Sequence, residues 1–196
     1  MLIVKNLYKD YAKKRVLSNF SYTFEEDKTY ALMGPSGCGK TTLLKILAGL
    51  DDQYRGRMFY NSNEILKQKR IIRHYIRDCA AYSPQFPVFF ENVSGYQNLA
   101  IALPTKINFP QHEFLHVSLQ KKVQVLSGGE RKRINLLLHI KRRKPILLLD
   151  EPTSSLDEDN QQALMNYIIK NHQGILIFST HNQAFAKAYA DEIIYL

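Results

Sequence analysis

Short, unbroken apolar runs alternate with stretches of helical periodicity along most of this chain. The run at 30–33 (Y-A-L-M) is ended by Gly34 and Pro35 and reads as a buried strand. Leu43, Leu44, Ile46, Leu47 and Leu50 then follow helical spacing, with Gly49 and the pair Asp51 and Asp52 near its stop. Ile146–Leu149 and Ile175–Ser179 are two further apolar runs with polar boundaries. Continuous apolar strands separated by helices predict an α/β fold with a mostly parallel sheet covered on both faces. The first thirty residues differ. Leu2, Val4 and Leu7, then Val16, Phe20, Tyr22 and Phe24, suggest short antiparallel strands around a turn at 12–14. Between 86 and 125 the strand signal fades and Pro87, Pro104 and Pro110 interrupt it. A single domain over 1–196 is therefore expected, with a core formed by 1–85 and 127–196 and a short helical subdomain at 86–126.

Composition narrows the class of protein. A chain of 196 residues with 45% hydrophobic and 23% charged residues is ordinary for one globular domain, needing neither disulfides nor metal to fold. No apolar run approaches the roughly 18 residues of a membrane span, and the first residues, M-L-I-V-K-N-L, lack the character of a secretory signal. Cys38 and Cys79 have no C-x-x-C spacing, which suits a reducing compartment, so a cytoplasmic location is expected. The net charge of +9 concentrates at 67–77 and at 141–144 (K-R-R-K). Such patches can serve nucleic acid or anionic lipid. However, Ile71, Ile72, Tyr75 and Ile76 recur at helical spacing, so the arginines of the first patch are expected on a solvated helix face. No nucleic-acid-binding motif accompanies them, and no nucleic-acid partner is expected.

The candidate chemistry begins at 34–41, G-P-S-G-C-G-K-T, which fits the phosphate-binding loop G-x-x-x-x-G-K-[ST] between a strand and a helix. Gly34, Gly37 and Gly39 let the backbone wrap closely, and Pro35, Ser36 and Cys38 complete the loop, so that N–H groups point at phosphate oxygens. The helix starting near Lys40 adds its positive end. Lys40 would reach the β- and γ-phosphates, the Thr41 hydroxyl would ligate Mg²⁺, and Thr42 follows within the same site. The fold class expected is thus a P-loop NTPase core with an N-terminal antiparallel β subdomain. Ile146–Leu149 is followed by Asp150 and Glu151. A carboxylate at the end of a buried strand beside such a loop suits Mg²⁺, which falls to Asp150, and Glu151 could accept a proton from the attacking water.

One further motif makes the resemblance specific. L-S-G-G-E at 126–130, just upstream of the Asp150 strand, resembles the L-S-G-G-Q hallmark of ABC ATPases, and the other elements follow in order across essentially the whole chain. The resemblance implies that Tyr11 stacks on adenine, that Gln85 senses Mg²⁺ and γ-phosphate, and that His181 is a switch histidine. It also implies that S-S-L-D at 154–157 is the D-loop. Ser127, Gly128 and Gly129 offer a hydroxyl and backbone N–H groups at a helix start, suited to an anion. Because the P-loop already serves the chain's own nucleotide, the resemblance implies that this second cradle serves ATP on another subunit. That partner is a second copy or a paralogue, in a head-to-tail pair.

Some features depart from the family pattern. Glu130 replaces the usual glutamine, and the stretch from 85 to 126 is short. The segment 86–99 resembles the docking groove for a permease, although Phe86, Phe89 and Phe90 could instead be ordinary core. The leading expectation is an ATP-hydrolysing subunit of a membrane transporter, peripheral on the cytoplasmic face through a separate transmembrane permease. The alternative is a soluble ABC ATPase such as one for iron–sulfur assembly. G-L-D after the first helix, with L-S-G-G-E, leans toward exporters of peptides, lipids or drugs.

Overall fold

The computed structural model describes residues 1–12, 14–65, 67–103, 119–154 and 156–196. Residues 104–118 of the expected helical subdomain, Pro104 and Pro110 among them, and Ser155 of S-S-L-D lie outside the described residues.

Two sheets form the scaffold. The first is antiparallel. It contains β1 (Leu2–Tyr11), β2 (Lys14–Phe24), β4 (Arg55–Tyr60) and β5 (Asn63–Glu64), in the order β2-β1-β4-β5. The second contains β3 (Thr29–Met33), β6 (Ala80–Ser83), β7 (Ile146–Leu149), β8 (Ile175–Ser179) and β9 (Glu192–Tyr195), in the order β6-β7-β8-β3-β9, and all its pairs are parallel. Six helices accompany them among the described residues: α1 (Lys40–Leu47), α2 (Lys69–Asp78), α3 (Gly95–Ala102), α4 (Gly128–Lys141), α5 (Glu158–Asn171) and α6 (Gln183–Tyr189).

The unbroken apolar strands are explained by burial on both faces. Along β7, Ile146 and Leu148 join a core with Leu43, Leu44 and Leu47 of α1 and with Leu2 and Leu7 of β1. Leu147 and Leu149 point the other way, onto Leu136 of α4 and Leu164 and Ile168 of α5. Each such side chain contributes about 1.5–3 kcal/mol on burial. A third cluster (Leu99, Leu103, Val123, Leu126, Ile134 and Leu137) fastens α3 to α4.

Several expectations change in detail. The N-terminal strands are not short: β1 and β2 run 10 and 11 residues, lengthened by bulges in their pairing. The Phe86 and Phe90 side chains are not core. They are 79% and 63% exposed, and only Phe89 packs against the α3–α4 cluster. On α2, Tyr75 is buried and its hydroxyl donates to Leu47 O at 2.8 Å, whereas Arg70, Arg73 and Arg77 face solvent, as the helical spacing predicts.

Candidate active site

The parallel sheet brings the chemistry to one edge. The phosphate-type loop follows β3, Gln85 follows β6, Asp150 and Glu151 follow β7, and His181 follows β8. All lie beyond the C-terminal ends of parallel strands, where α/β sheets bind their ligands.

Between β3 and α1 the backbone turns through Gly37 (φ +78°) and Gly39 (φ +115°). Gly39 is also hemmed in: a Cβ there would lie 2.9 Å from Val16 Cγ1 and 3.1 Å from the Val16 carbonyl, so only glycine fits. Lys40 opens α1 and is buried. Its ammonium folds back to donate to Gly34 O at 2.8 Å and Pro35 O at 3.1 Å, with Cys38 Sγ at 3.8 Å. A cleft of 380 Å³ lies over this loop. Ser36, Gly37, Gly39, Lys40, Thr41 and Thr42 form its floor, and Tyr11, Gln85, Glu151 and His181 stand around it. Gly34, Pro35, Cys38 and Asp150 belong to the same loops but do not line the cleft itself. At the mouth, the Tyr11 hydroxyl donates to Asp51 Oδ2 at 3.0 Å, and Lys9 Nζ sits 4.6 Å from the centre of the ring.

The two carboxylates differ sharply in environment. Asp150 is buried, and accepts from Ser179 Oγ at 2.8 Å and from the Tyr82 hydroxyl at 3.2 Å. Burial, with Asp150 beside it, pushes the Tyr82 phenol well up, so it stays a donor. Glu151 is reached by the cleft, and both its oxygens are held. Oε2 accepts from Gln85 Nε2 at 2.7 Å and Oε1 lies 2.7 Å from His181 Nε2. Its backbone is left-handed, with φ +46°, a conformation costing a non-glycine residue about 1–2 kcal/mol. Surrounding bonds hold it there. Glu151 N donates to Ser179 Oγ at 2.8 Å, and its carbonyl accepts from buried Lys132 Nζ at 2.6 Å. Burial pushes the Lys132 ammonium down to about 8, against the opposing pull of Glu151 and Asp150.

Ser127, Gly128 and Gly129 lie outside this cleft, at the N-terminus of α4. Ser127 Oγ accepts from Glu130 N at 3.2 Å and Glu130 Oε2 accepts from Ser127 N at 2.8 Å, a reciprocal capping box. That bond needs only a side-chain oxygen, so glutamate serves where the family keeps glutamine; the Ser127 N–H holds the Glu130 carboxyl below its usual range. A Cβ on Gly128 would meet nothing within 4 Å, so the cradle opens outward.

Sequence reasoning missed several neighbours. Val16 lines the cleft, and Lys14 Nζ lies 3.8 Å from where a Cβ on Gly37 would stand. Ser179 carried a signal, as the polar end of a buried apolar run. Lys132 carried none, since nothing distinguishes it from Arg131 and Arg133 on either side.

Similarity to known proteins extends over nearly the whole chain. A family model described as ABC transporter matches residues 17–154. Spermidine/putrescine import ATP-binding protein PotA of Legionella pneumophila is 31% identical over 212 residues, covering 99% of this chain and 56% of that protein. The chain thus spans little more than half the length of that relative. Phosphonates import ATP-binding protein PhnC of Fusobacterium nucleatum is 30% identical over 216 residues, covering 98% and 87%. Among solved structures, an ABC transporter ATP-binding protein from Pyrococcus furiosus superposes with a TM-score of 0.84 at 25% identity, covering 100% of this chain and 96% of the other. A dimeric bacterial ABC transporter cassette, MJ0796, shares the fold with a TM-score of 0.83 at 23% identity, covering 100% and 94%. The chain belongs to the ABC transporter family of ATP-binding proteins. The relatives named here are import proteins, so the lean toward exporters finds no support in them.

Proposed function

We propose that the chain binds ATP with Mg²⁺ and hydrolyses it as the ATPase subunit of a membrane transporter. It would work as a head-to-tail pair with a second copy or a paralogue, docked on a separate permease at the cytoplasmic face. The observation that carries this reading is the position of Glu151: both its oxygens are held by Gln85 and His181, at the edge of a cleft floored by the phosphate-type loop.

The chemistry follows from the groups present. The Lys40 ammonium exchanges the Gly34 and Pro35 carbonyls for β- and γ-phosphate oxygens, which are stronger acceptors. Thr41 (hydroxyl), Gln85 (amide) and Asp150 (carboxylate) offer oxygen donors, the set that hard Mg²⁺ takes alongside phosphate. When bound there, Mg²⁺ supplies charge neutralisation at the phosphates. Glu151 accepts a proton from the attacking water, and Gln85 and His181 hold the carboxylate in line until it does. Tyr11 offers its ring to the adenine.

Ser127, Gly128 and Gly129 complete a neighbouring copy's site, since none of them lines the chain's own cleft and the space over Gly128 is open. Phe86, Val88 and Phe90, 79%, 92% and 63% exposed, form an apolar surface suited to the permease. Uptake is the direction favoured by the relatives' names.

Calorimetry on Lys40→Ala tests the site. Losing a charge-assisted contact of about 1.5–3 kcal/mol weakens ATP at least about tenfold. Unchanged affinity removes Lys40 from the site and this reading with it.

A further inference from the structure

The buried lysine of α4 links two parts of the molecule that the cleft alone leaves unconnected. Lys132 Nζ makes three contacts, to Glu151 O at 2.6 Å, Ser154 O at 3.1 Å and Ser154 Oγ at 2.5 Å. An ammonium has three donors, so every one is used. Ser154 Oγ in turn lies 3.1 Å from Glu151 O, and Ser154 N donates to the same carbonyl at 3.2 Å. The carbonyl of Glu151 is thus the acceptor around which the post-β7 turn is built, and Glu151 is the residue whose φ is +46°.

The same stretch of α4 begins at the outward-facing cradle. Gly129 packs against the turn as well, since a Cβ there would come 3.2 Å from Leu156 Cδ2. Three residues beyond Lys132, on the same helix face, buried Asn135 donates to Ser83 Oγ at 2.7 Å, two residues before Gln85. Both strand ends that supply the Glu151–Gln85 pair are therefore fastened to α4 by polar bonds from buried side chains. Buried, fully satisfied bonds of this kind hold one arrangement and transmit displacement, because breaking one leaves an unpaired group in the interior.

We propose that Lys132 is a positioning residue: through it the N-terminal end of α4 sets the backbone of Glu151, so that an anion captured at 127–129 alters the aim of the carboxylate in the same chain. The inference rests on the ATPase reading above. It adds a physical connection within one chain: Lys132 joins the cradle end of α4 to the backbone that aims Glu151.

The test uses the full chain, at concentrations that allow pairing, with ATP as the probe. Lys132→Met keeps the length of the stem and removes all three donors, whereas Lys132→Gln restores amide donors. Phosphate release at saturating ATP is expected to fall at least about thirtyfold in Lys132→Met, with ATP affinity by calorimetry within about threefold of the unaltered chain, and to recover at least about fivefold in Lys132→Gln. Ser127→Ala supplies the coupling readout. It should lower turnover in the unaltered background and have little further effect in Lys132→Met, a non-additivity that mere loss of stability does not produce.

Turnover of folded Lys132→Met within threefold of normal overturns the proposal, as do additive losses with Ser127→Ala. If Lys132→Met does not fold, Ser154→Ala, which removes the hydroxyl bridging Lys132 Nζ and Glu151 O, carries the same comparison, and its additivity with Ser127→Ala overturns the proposal. An unaltered chain that hydrolyses ATP while Lys132 proves dispensable leaves the ATPase reading intact. An unaltered chain without turnover overturns both.

Discussion

At the scale of single residues, the site turns on how Glu151 is held. A surface glutamate would be screened and mobile, whereas this one has a left-handed backbone, a carbonyl fixed by Lys132 and both oxygens engaged. The bond from Gln85 survives substitution by glutamine, because an amide oxygen still accepts; what is lost is the capacity to take a proton from water. Glu151→Gln is therefore expected to bind ATP as the unaltered chain does and to release phosphate at least about a hundredfold more slowly, the usual size of a lost general base. Phosphate release under saturating ATP checks this, and a normal rate would place the base elsewhere, with His181 next. Much of this constellation was legible in the sequence. Lys40, Glu151 and His181 follow runs whose apolar character announced buried strands, Gln85 was implied only by the family resemblance, and the structure brings all four to one cleft. Lys132, Val16 and Tyr82 were not legible, because their roles depend on what lies across a fold contact and not on local pattern.

At the scale of elements, α4 combines opposing demands. Its start is written in the sequence as S-x-x-E, and the structure supplies both capping bonds. Farther along, it buries His139, whose Nδ1 has no hydrogen-bond partner among the described residues. Burial pushes that imidazole down to about 3 from 6.5. The folded state therefore refuses a proton that the unfolded chain accepts once pH falls below about 6.5. Stability is full above that value and is lost as pH drops toward 3, by up to about 1.4 kcal/mol per pH unit. His139→Leu should remove about 2 kcal/mol of the decline in unfolding free energy between pH 7 and 5, measured by urea titration. Equal declines in both proteins would contradict the assignment. The elements that pattern alone did not reveal share a physical cause. In β4, R-G-R-M-F-Y, arginines interrupt the alternation, and only pairing with β1 makes it a strand. β6 is four residues of A-A-Y-S, too short and too weakly apolar to read before β7 is known to lie beside it.

At the scale of the whole molecule, the central fact is a separation. The phosphate-type loop and the Ser127 cradle both look built for anions, yet only the first belongs to the chain's own cleft, and the second opens outward. The order of motifs along the sequence could not show this; the path of the chain around the parallel sheet does. The account built on it is that each complete site takes Lys40 from one chain and Ser127 from another. Ser127→Arg would fill the cradle and block pairing and hydrolysis while leaving the cleft able to bind ATP, and Lys40→Ala would disable the cleft. The most direct test mixes the two variants, each inactive alone. A mixed pair has one site with both defects and one with neither, so hydrolysis should return, reaching at most about a quarter of normal when half the pairs are mixed and sites act independently. Hydrolysis by Ser127→Arg alone at the full rate would contradict the shared site.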